Sequence, residues 1–282
     1  MIKIVTDSSA DLPAAVAQEM GISVVPLYVR FGDEIYRERV DLSDDEFYQK
    51  LLYGGVHPVT IQPNPNDFAE VYRELSREAD GILSIHISSK LSGTPNSASQ
   101  AKKMITSECP IEVLDSQTIT AALGLITIAA AEAANAGKGL PEVKAVAEEA
   151  MLNTYALCLL DTLKYLLLGG RIGKAKALLG SALRVKPLIT VKDGEVVPIA
   201  QVRSRAKGIE YLCDFIKNAT DVEDLAVAYS TTLDDAQALS QRVASMFTKT
   251  EVRLTRLGTT LGVHTGPGTL IIALRGKIPG AQ

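Results

Sequence analysis

The 282-residue sequence contains no tryptophan and only three cysteines, Cys109, Cys158 and Cys213. The cysteines are isolated and odd in number, which suits a reducing cytoplasm better than a secreted protein held together by disulfides. Neither the cysteines nor the three histidines are spaced as paired metal ligands. The sequence therefore predicts no metal site and no disulfide framework.

Long apolar runs and a strong positive charge are lacking as well. The nearest candidate for a membrane span, residues 121–137, is short and interrupted by Glu132, so it predicts a buried helix. The first nine residues lead straight into a strand and do not resemble a signal peptide. The net charge of −4 argues against a general nucleic-acid-binding surface. We expect a cytoplasmic protein without a transmembrane segment.

What the sequence does contain is a regular alternation of short apolar strands and helices over its first half. This pattern predicts a parallel sheet with right-handed crossovers. After about Tyr155 the pattern changes, and an Asp193-Gly194 turn between two strands indicates a hairpin. We therefore expect an α/β fold with two domains: residues 1–155 as a three-layer α/β/α domain with a mainly parallel sheet, and 156–282 with a mixed, largely antiparallel sheet.

The loop Ser88–Thr94, with the sequence SSKLSGT, separates a predicted strand from a predicted helix. Small hydroxyl residues at such a junction direct O–H and N–H groups towards one point near the positive end of the helix dipole, where an anion binds well. The same residues also serve as ordinary helix caps. The two interpretations are compatible, because both use the same unpaired donors.

Two further loops follow strands in the same way, Asp7-Ser8 and Asp115-Ser116. Ligands of parallel sheets collect at the carboxyl ends of the strands, so we expect these loops to share one rim with Ser88–Thr94.

His264 lies in the glycine-rich segment LGVHTGPG, which we predict to be a loop between two strands. An imidazole there could donate a hydrogen bond to an anion or act as an acid or base; the alternative is an ordinary surface histidine. A serine hydrolase would require Ser92, His264 and an acid such as Asp7 or Asp115 to converge. The sequence contains neither a G-x-S-x-G elbow nor a P-loop.

A basic cluster follows the predicted domain boundary. Such clustering in an acidic protein indicates either a docking face for an acidic partner or a solvated surface. Its members are Arg171, Lys174, Lys176, Arg184, Lys186, Arg203, Arg205 and Lys207.

Five segments, distributed in order along the whole chain, together resemble the DegV family, whose well-studied members are the FakB fatty-acid-binding subunits of bacterial fatty acid kinase. They are IVTDSSADLP, SSKLSGTPNSA, VLDSQTIT, LKYLLLGGRIGKAKALLGSALRVKPLI and GVHTGPGTLIIAL. The resemblance implies two α/β domains with a long-chain fatty acid in an apolar tunnel between them. It implies no cofactor and no catalysis by this chain alone.

By motif, the resemblance assigns the fatty-acid carboxylate to Thr60, Ser92 and His264. It places Asp7, Ser8, Gly93 and Thr94 at a supporting rim. The family motif T-S-Q-P is T-I-Q-P here, and S-G-T-Y is S-G-T-P, so a secondary hydroxyl contact and the shape of the adjoining loop differ.

The resemblance also implies a partner, an ATP-dependent kinase of the FakA type that phosphorylates the bound carboxylate. Arg171 matches a residue implicated in docking that kinase, and Arg203 or Arg205 is expected to act with it. Transient contact with a membrane is compatible with this hypothesis. The alternatives are a serine-type hydrolase or acyltransferase using Ser92 and His264, and a carrier of another anionic lipid without a kinase.

Overall fold

The computed structural model describes residues 1–179 and 185–280. Arg184 of the basic cluster lies outside these ranges, and so does part of the segment 176–183, which the sequence predicts to be helical. The strands are β1 (Ile2–Asp7), β2 (Ile22–Val25), β3 (Tyr28–Phe31), β4 (Glu34–Arg37), β5 (Val59–Ile61), β6 (Gly81–His86), β7 (Ile111–Asp115), β8 (Thr154–Leu159), β9 (Lys186–Lys192), β10 (Glu195–Val202), β11 (Thr220–Tyr229), β12 (Val252–Arg256) and β13 (Leu270–Lys277).

Ten α-helices are described between these strands. They are α1 (Ala14–Met20), α2 (Asp44–Tyr53), α3 (Pro65–Leu75), α4 (Thr94–Lys103), α5 (Thr120–Asn135), α6 (Leu140–Leu152), α7 (Lys164–Leu168), α8 (Arg205–Ile216), α9 (Leu233–Met246) and α10 (Thr259–Thr265). Short 3-10 helices occupy Ser8–Ala10 and Gly173–Leu178.

The N-terminal part is built on a parallel sheet with the strand order β2-β1-β6-β7. Helices cover both faces, and every residue of β6 is buried. A strand that is buried on both faces has no exposed side, which explains why the sequence GILSIH does not alternate between apolar and polar residues. The predicted α/β fold with a mainly parallel N-terminal sheet is confirmed.

A small antiparallel sheet, β4-β3-β5, is only partly predicted by the sequence. The sequence predicts one strand at 22–30, but Pro26 interrupts the ladder, and β2 and β3 belong to different sheets. The proline-rich segment 58–65 is predicted to be irregular, yet it contains β5. Pro58 and Pro63 lie just outside this three-residue edge strand, where their missing N–H groups cost no ladder bond.

The C-terminal part is a six-stranded mixed sheet with the order β10-β9-β8-β13-β11-β12, in which only β11 and β12 pair in parallel among the described strands. The hairpin predicted at Asp193-Gly194 is present between β9 and β10. Both turn residues have positive φ angles, 51° and 78°, as the tight hairpin turn requires.

Helix α5 lies between the parallel and the mixed sheets. Leu123 and Ile126 pack into the core of the parallel sheet, and Leu125 and Ile128 pack against the mixed sheet. The helix is therefore apolar all round, as predicted, rather than amphipathic. The domain boundary predicted at 155/156 falls within β8 and stays a prediction. None of the helices in the described ranges is long and apolar enough to cross a membrane.

Candidate functional site

A cavity lies between α5, the mixed sheet and the loop that follows β6. It encloses about 1010 Å³ of empty space, its open mouth included. Buried apolar side chains from four strands and a helix form much of its wall: Cys158, Leu166, Ile189, Val196 and Ile271. These walls suit a hydrocarbon chain better than a polar metabolite.

Part of the cavity wall is polar and lies next to exposed residues. Thr60, Ser92 and His264 all lie in the cavity wall, together with the exposed residues Gln62 and Arg171. The structure thus brings together the three residues that the resemblance assigns to a carboxylate, although they come from β5, the β6–α4 loop and α10. The cavity combines apolar side chains with this polar cluster and with further threonines, among them Thr190 and Thr260.

His264 and Thr60 are joined directly. The imidazole Nε2 lies 3.0 Å from Thr60 Oγ1, and His264 is 7% exposed. The other ring nitrogen, Nδ1, is buried and has no hydrogen-bond partner among the described residues. Burial, reinforced by the charge of Arg171 and by His57, lowers the pKa of His264 from 6.5 to about 4. The imidazole is therefore neutral near pH 7.

The prediction of a loop around His264 was wrong, because the segment forms helix α10. Its glycines are needed for space rather than for flexibility: a Cβ on Gly262 would lie 2.3 Å from the Phe47 ring. The helix ends at Gly266, whose φ of +74° is one that glycine adopts without cost. On the other side of the imidazole, a Cβ on Gly169 would lie 2.0 Å from His264 Nδ1. Glycines thus let the helix and its histidine pack closely.

Ser92 serves as a local cap as well as lining the cavity. Its Oγ lies 2.8 Å from Thr94 Oγ1 and accepts the N–H of Thr94 at 3.3 Å. Gly93 does not line the cavity, but a Cβ there would lie 2.1 Å from Gln62 Oε1. Thr94 is fully buried and likewise lies outside the cavity wall. Gly93 and Thr94 therefore support the cavity mouth from behind.

Asp7 and Ser8 are not part of the cavity wall, contrary to the expected rim. Asp7 ends β1, a central strand, so its carboxylate is enclosed: Oδ2 lies 2.9 Å from His86 Nδ1 and accepts the N–H of Ile87 at 3.1 Å. Ser8 accepts the N–H of Leu27 at 2.9 Å and donates to Glu38. Both residues fix the segments that carry cavity-lining residues.

A hydrolytic triad is not assembled at the cavity mouth. Asp7 bonds to His86, and the carboxylate of Asp115 accepts the N–H groups of Ser89 and Gln117. Within the described residues, no carboxylate bonds to His264, whose Nε2 faces Thr60 instead of Ser92. Asp7, His86 and Ser84 do form an acid–imidazole–hydroxyl chain, but all three are fully buried and cannot meet a substrate.

The predicted docking arginines differ in their surroundings. Arg171 is exposed at the cavity mouth, and its guanidinium donates to the carbonyls of Leu91 and Gly169. Arg203 is exposed as well. Arg205 is half-buried: it donates to Asp235 at 2.5 Å and to the Gly268 carbonyl at 2.6 Å. Arg203 is therefore accessible to a partner, whereas the guanidinium of Arg205 is already bonded within the protein.

The sequence analysis does not identify some of the residues around the site. Gln62 lies in the cavity wall and donates to Ser97 at 3.1 Å; its place two residues after Thr60, just past the end of the extended segment β5, was the available signal. Glu38 and Asp11, buried beside the first turn of α10, gave no signal, because an acidic residue in a polar segment normally predicts a surface. No group of three potential metal ligands occurs among the described residues.

Comparison with known proteins identifies relatives that match nearly the whole chain. A family model described as "Uncharacterised protein, DegV family" matches residues 1–277. A DegV domain-containing protein of Streptomyces coelicolor is 38% identical over 281 residues, which is 98% of this chain and 99% of the relative. One from Clostridium acetobutylicum is 36% identical over 278 residues, 96% of each chain.

Solved structures are similar over the same length. A DegV family protein from Thermus thermophilus, described by its fatty acid binding, superposes with a TM-score of 0.90 at 36% identity, covering 98% of this chain and 99% of the other. DegV of Bacillus subtilis, described as a fatty acid binding protein, gives a TM-score of 0.89 at 30% identity with the same coverage. With the family model matching nearly the whole sequence, the chain belongs to the DegV family.

Proposed function

We propose that this chain binds a long-chain fatty acid in the cavity and presents its carboxylate to a partner ATP-dependent kinase of the FakA type, which forms the acyl-phosphate. The observation that carries the proposal is the Thr60–His264 hydrogen bond in the wall of a largely apolar cavity. Relatives described as fatty acid binding proteins support it, among them a stearic acid-binding protein from Eubacterium ventriosum.

The acyl chain would supply most of the affinity. Each methylene group moved from water into the apolar cavity contributes about 0.8 kcal/mol. The carboxylate opposes binding, because burying an unpaired charge is costly. When the Nε2–H of His264 donates to Thr60 Oγ1, the hydroxyls of Thr60 and Ser92 are free to donate to the carboxylate, and these bonds compensate for that cost. This neutral donor set can hold one carboxylate oxygen and leave the second exposed to a phosphoryl donor.

Exposed basic and apolar residues supply a surface for a protein partner. Arg171 and Arg203 are exposed, and two leucines of α7, Leu167 and Leu168, are about half exposed. A basic, partly apolar surface next to a presented carboxylate fits a docking site for an acidic partner. Arg205 is a poorer candidate because Asp235 and Asp161 already pair with it.

Two experiments test the parts separately. Denaturing mass spectrometry of an organic extract of the purified protein, followed by titration of the delipidated chain with stearic acid, tests lipid binding. A loaded protein or a 1:1 titration supports the proposal; no binding to the delipidated chain refutes it. Mixing the loaded protein with a FakA-type kinase and ATP tests presentation, and the absence of acyl-phosphate would leave a carrier without a kinase.

The hydrolase alternative is tested with a fluorophosphonate probe. The proposal predicts no labelling of Ser92, because its hydroxyl contacts Thr94 and has no imidazole partner among the described residues. Stable labelling at Ser92 would instead support the hydrolase.

A further inference from the structure

We propose that Glu38 and Asp11 are positioning residues: they fix the first turn of α10 and thereby hold the imidazole of His264 against Thr60. The proposal rests on the proposed function, because it concerns how the same carboxylate site is built. Neither residue lines the cavity, so their effect on a ligand is transmitted through the helix.

The first turn of α10 is bonded to both carboxylates. Asp11 Oδ1 accepts the N–H of Gly258 at 2.8 Å. Glu38 Oε1 accepts the N–H of Thr260, and its Oε2 accepts the Thr260 hydroxyl, both at 2.8 Å. The first N–H groups of a helix have no partner within it, and negative charge is favoured at that end. The two side chains therefore act as a double cap supplied from a distant part of the sequence.

The cap is shielded from water. Glu38 is 1% exposed and Asp11 is 2% exposed. A hydroxyl donor, Ser8, contacts Glu38, and Arg39 Nη2 lies 3.6 Å from Asp11 Oδ1. Because water does not compete for these groups, losing one partner leaves the others unsatisfied, which is more costly than losing an exposed bond.

Gly258 allows the two carboxylates to approach the helix closely. A Cβ at this position would lie 2.3 Å from Glu38 Oε1 and 3.2 Å from Asp11 Oδ1. Its φ of −73° is open to any residue, so space rather than backbone conformation requires glycine here.

The helix connects this cap to the ligand site within two turns. Thr260, bonded to Glu38, and Leu261 already line the cavity, and His264 follows one turn later on the same side. Gly262 packs against Phe47, which limits movement of the helix midpoint. A tilt of the first turn therefore moves the imidazole away from Thr60 Oγ1, and hydrogen bonds weaken steeply with such misalignment.

The test compares Glu38→Gln and Thr260→Val with Asp224→Asn, a matched buried carboxylate that bonds to Arg275 on the mixed sheet away from the cavity. The ¹⁵N NMR signals of His264 in the ligand-free protein are assigned by their loss in His264→Gln. We expect both test variants to shift these signals and to weaken stearate binding at least fivefold. Asp224→Asn should lower the melting temperature and leave the signals and affinity unchanged.

Unchanged His264 signals in both Glu38→Gln and Thr260→Val would overturn the proposal. So would a loss of affinity in Asp224→Asn equal to theirs, because the effect would then follow stability alone. The NMR comparison needs no ligand. If the wild-type chain bound no fatty acid, the proposed function would fail, whereas a shift of the His264 signals would still support the positioning role.

Discussion

The Nε2 atom of His264 lies 3.0 Å from Oγ1 of Thr60, and this contact joins α10 to β5 across 204 positions of sequence. Both residues line the cavity, together with the hydroxyl of Ser92, the amide of Gln62 and the guanidinium of Arg171. The proposed function depends on that contact, because it marks where the charged end of a bound fatty acid would lie.

Removing either partner is expected to weaken fatty-acid binding. Hydrogen bonds to a charged group contribute about 1.5–3 kcal/mol, so Thr60→Val and His264→Gln should each raise the Kd for stearate roughly 10- to 100-fold. Calorimetric titration of the delipidated variants measures this. Thr250→Val, which removes a threonine bond to the Val222 carbonyl outside the cavity, is the control and should retain the wild-type Kd. Wild-type affinity in both test variants would contradict the assignment.

Gly169→Ala is expected to displace the imidazole without changing any functional group of the site. The added methyl carbon would lie 2.0 Å from His264 Nδ1, and such overpacking costs about 1–3 kcal/mol. We expect weaker stearate binding and a shifted His264 NMR signal. Gly139→Ala is the control, because its nearest neighbour would lie at 3.7 Å. If the two alanine variants bound stearate equally well, the close packing around His264 would be irrelevant to binding.

His264 should make the protein less stable as the pH falls from about 6.5 to about 4. Burial lowers the pKa of His264 to about 4, so over that interval the unfolded chain takes up a proton that the folded chain does not. Chemical unfolding at several pH values measures the effect. The wild type should lose more unfolding free energy over this range than His264→Gln; parallel curves would show that the imidazole is not buried in the folded protein.

Asp11 should make the protein less stable as the pH rises, the opposite of the effect of His264. Burial raises the pKa of Asp11 from 3.8 to about 7, against the opposing charge of Arg39 and with the help of Glu38. As the pH rises from about 4 to about 7, the unfolded chain ionises while folded Asp11 keeps its proton, so stability is lost. Asp11→Asn should lose less unfolding free energy over this range than the wild type. His264→Gln, in which Asp11 is intact, is the control and should keep the loss.

The arginines are expected to separate lipid binding from kinase coupling. Arg171→Ala and Arg203→Ala should bind stearate nearly as tightly as the wild type but yield less acyl-phosphate with a FakA-type kinase, because their exposed charges face a partner. Arg205→Ala should instead lower the melting temperature, since Asp235 loses its partner and Asp161 keeps only Lys186. Lys217→Ala on the exposed end of α8 controls for the loss of one charge. If Arg171→Ala lost stearate binding as much as it lost acyl-phosphate formation, the separation of lipid binding from kinase coupling would be refuted.

The sequence was most informative where local pattern decides structure. The alternation of strands and helices, the Asp193-Gly194 hairpin and the buried helix α5 follow from periodicity and turn chemistry, and all are present. The three proposed carboxylate residues came from motif resemblance, because Thr60, Ser92 and His264 lie on separate elements and no spacing rule joins them.

The sequence was least informative where tertiary contacts override local preference. Gly262 and Gly266 suggested a loop, but they permit a tightly packed helix against Phe47 and Tyr165. Asp7 was expected at a rim, yet its position at the end of a central strand encloses it with His86. The burial of Glu38 depends on its meeting Thr260, 222 positions later, which no local pattern records.

The most direct test is a crystal structure of the delipidated chain soaked or co-crystallised with stearic acid. We predict one molecule in the cavity, its carboxylate within about 3 Å of Thr60 Oγ1, Ser92 Oγ or His264 Nε2 and its tail among Ile189, Val196 and Ile271. A fatty acid bound in the reverse orientation, with its carboxylate away from Thr60 and His264, would contradict the proposed function. A chain bound elsewhere on the protein would do the same.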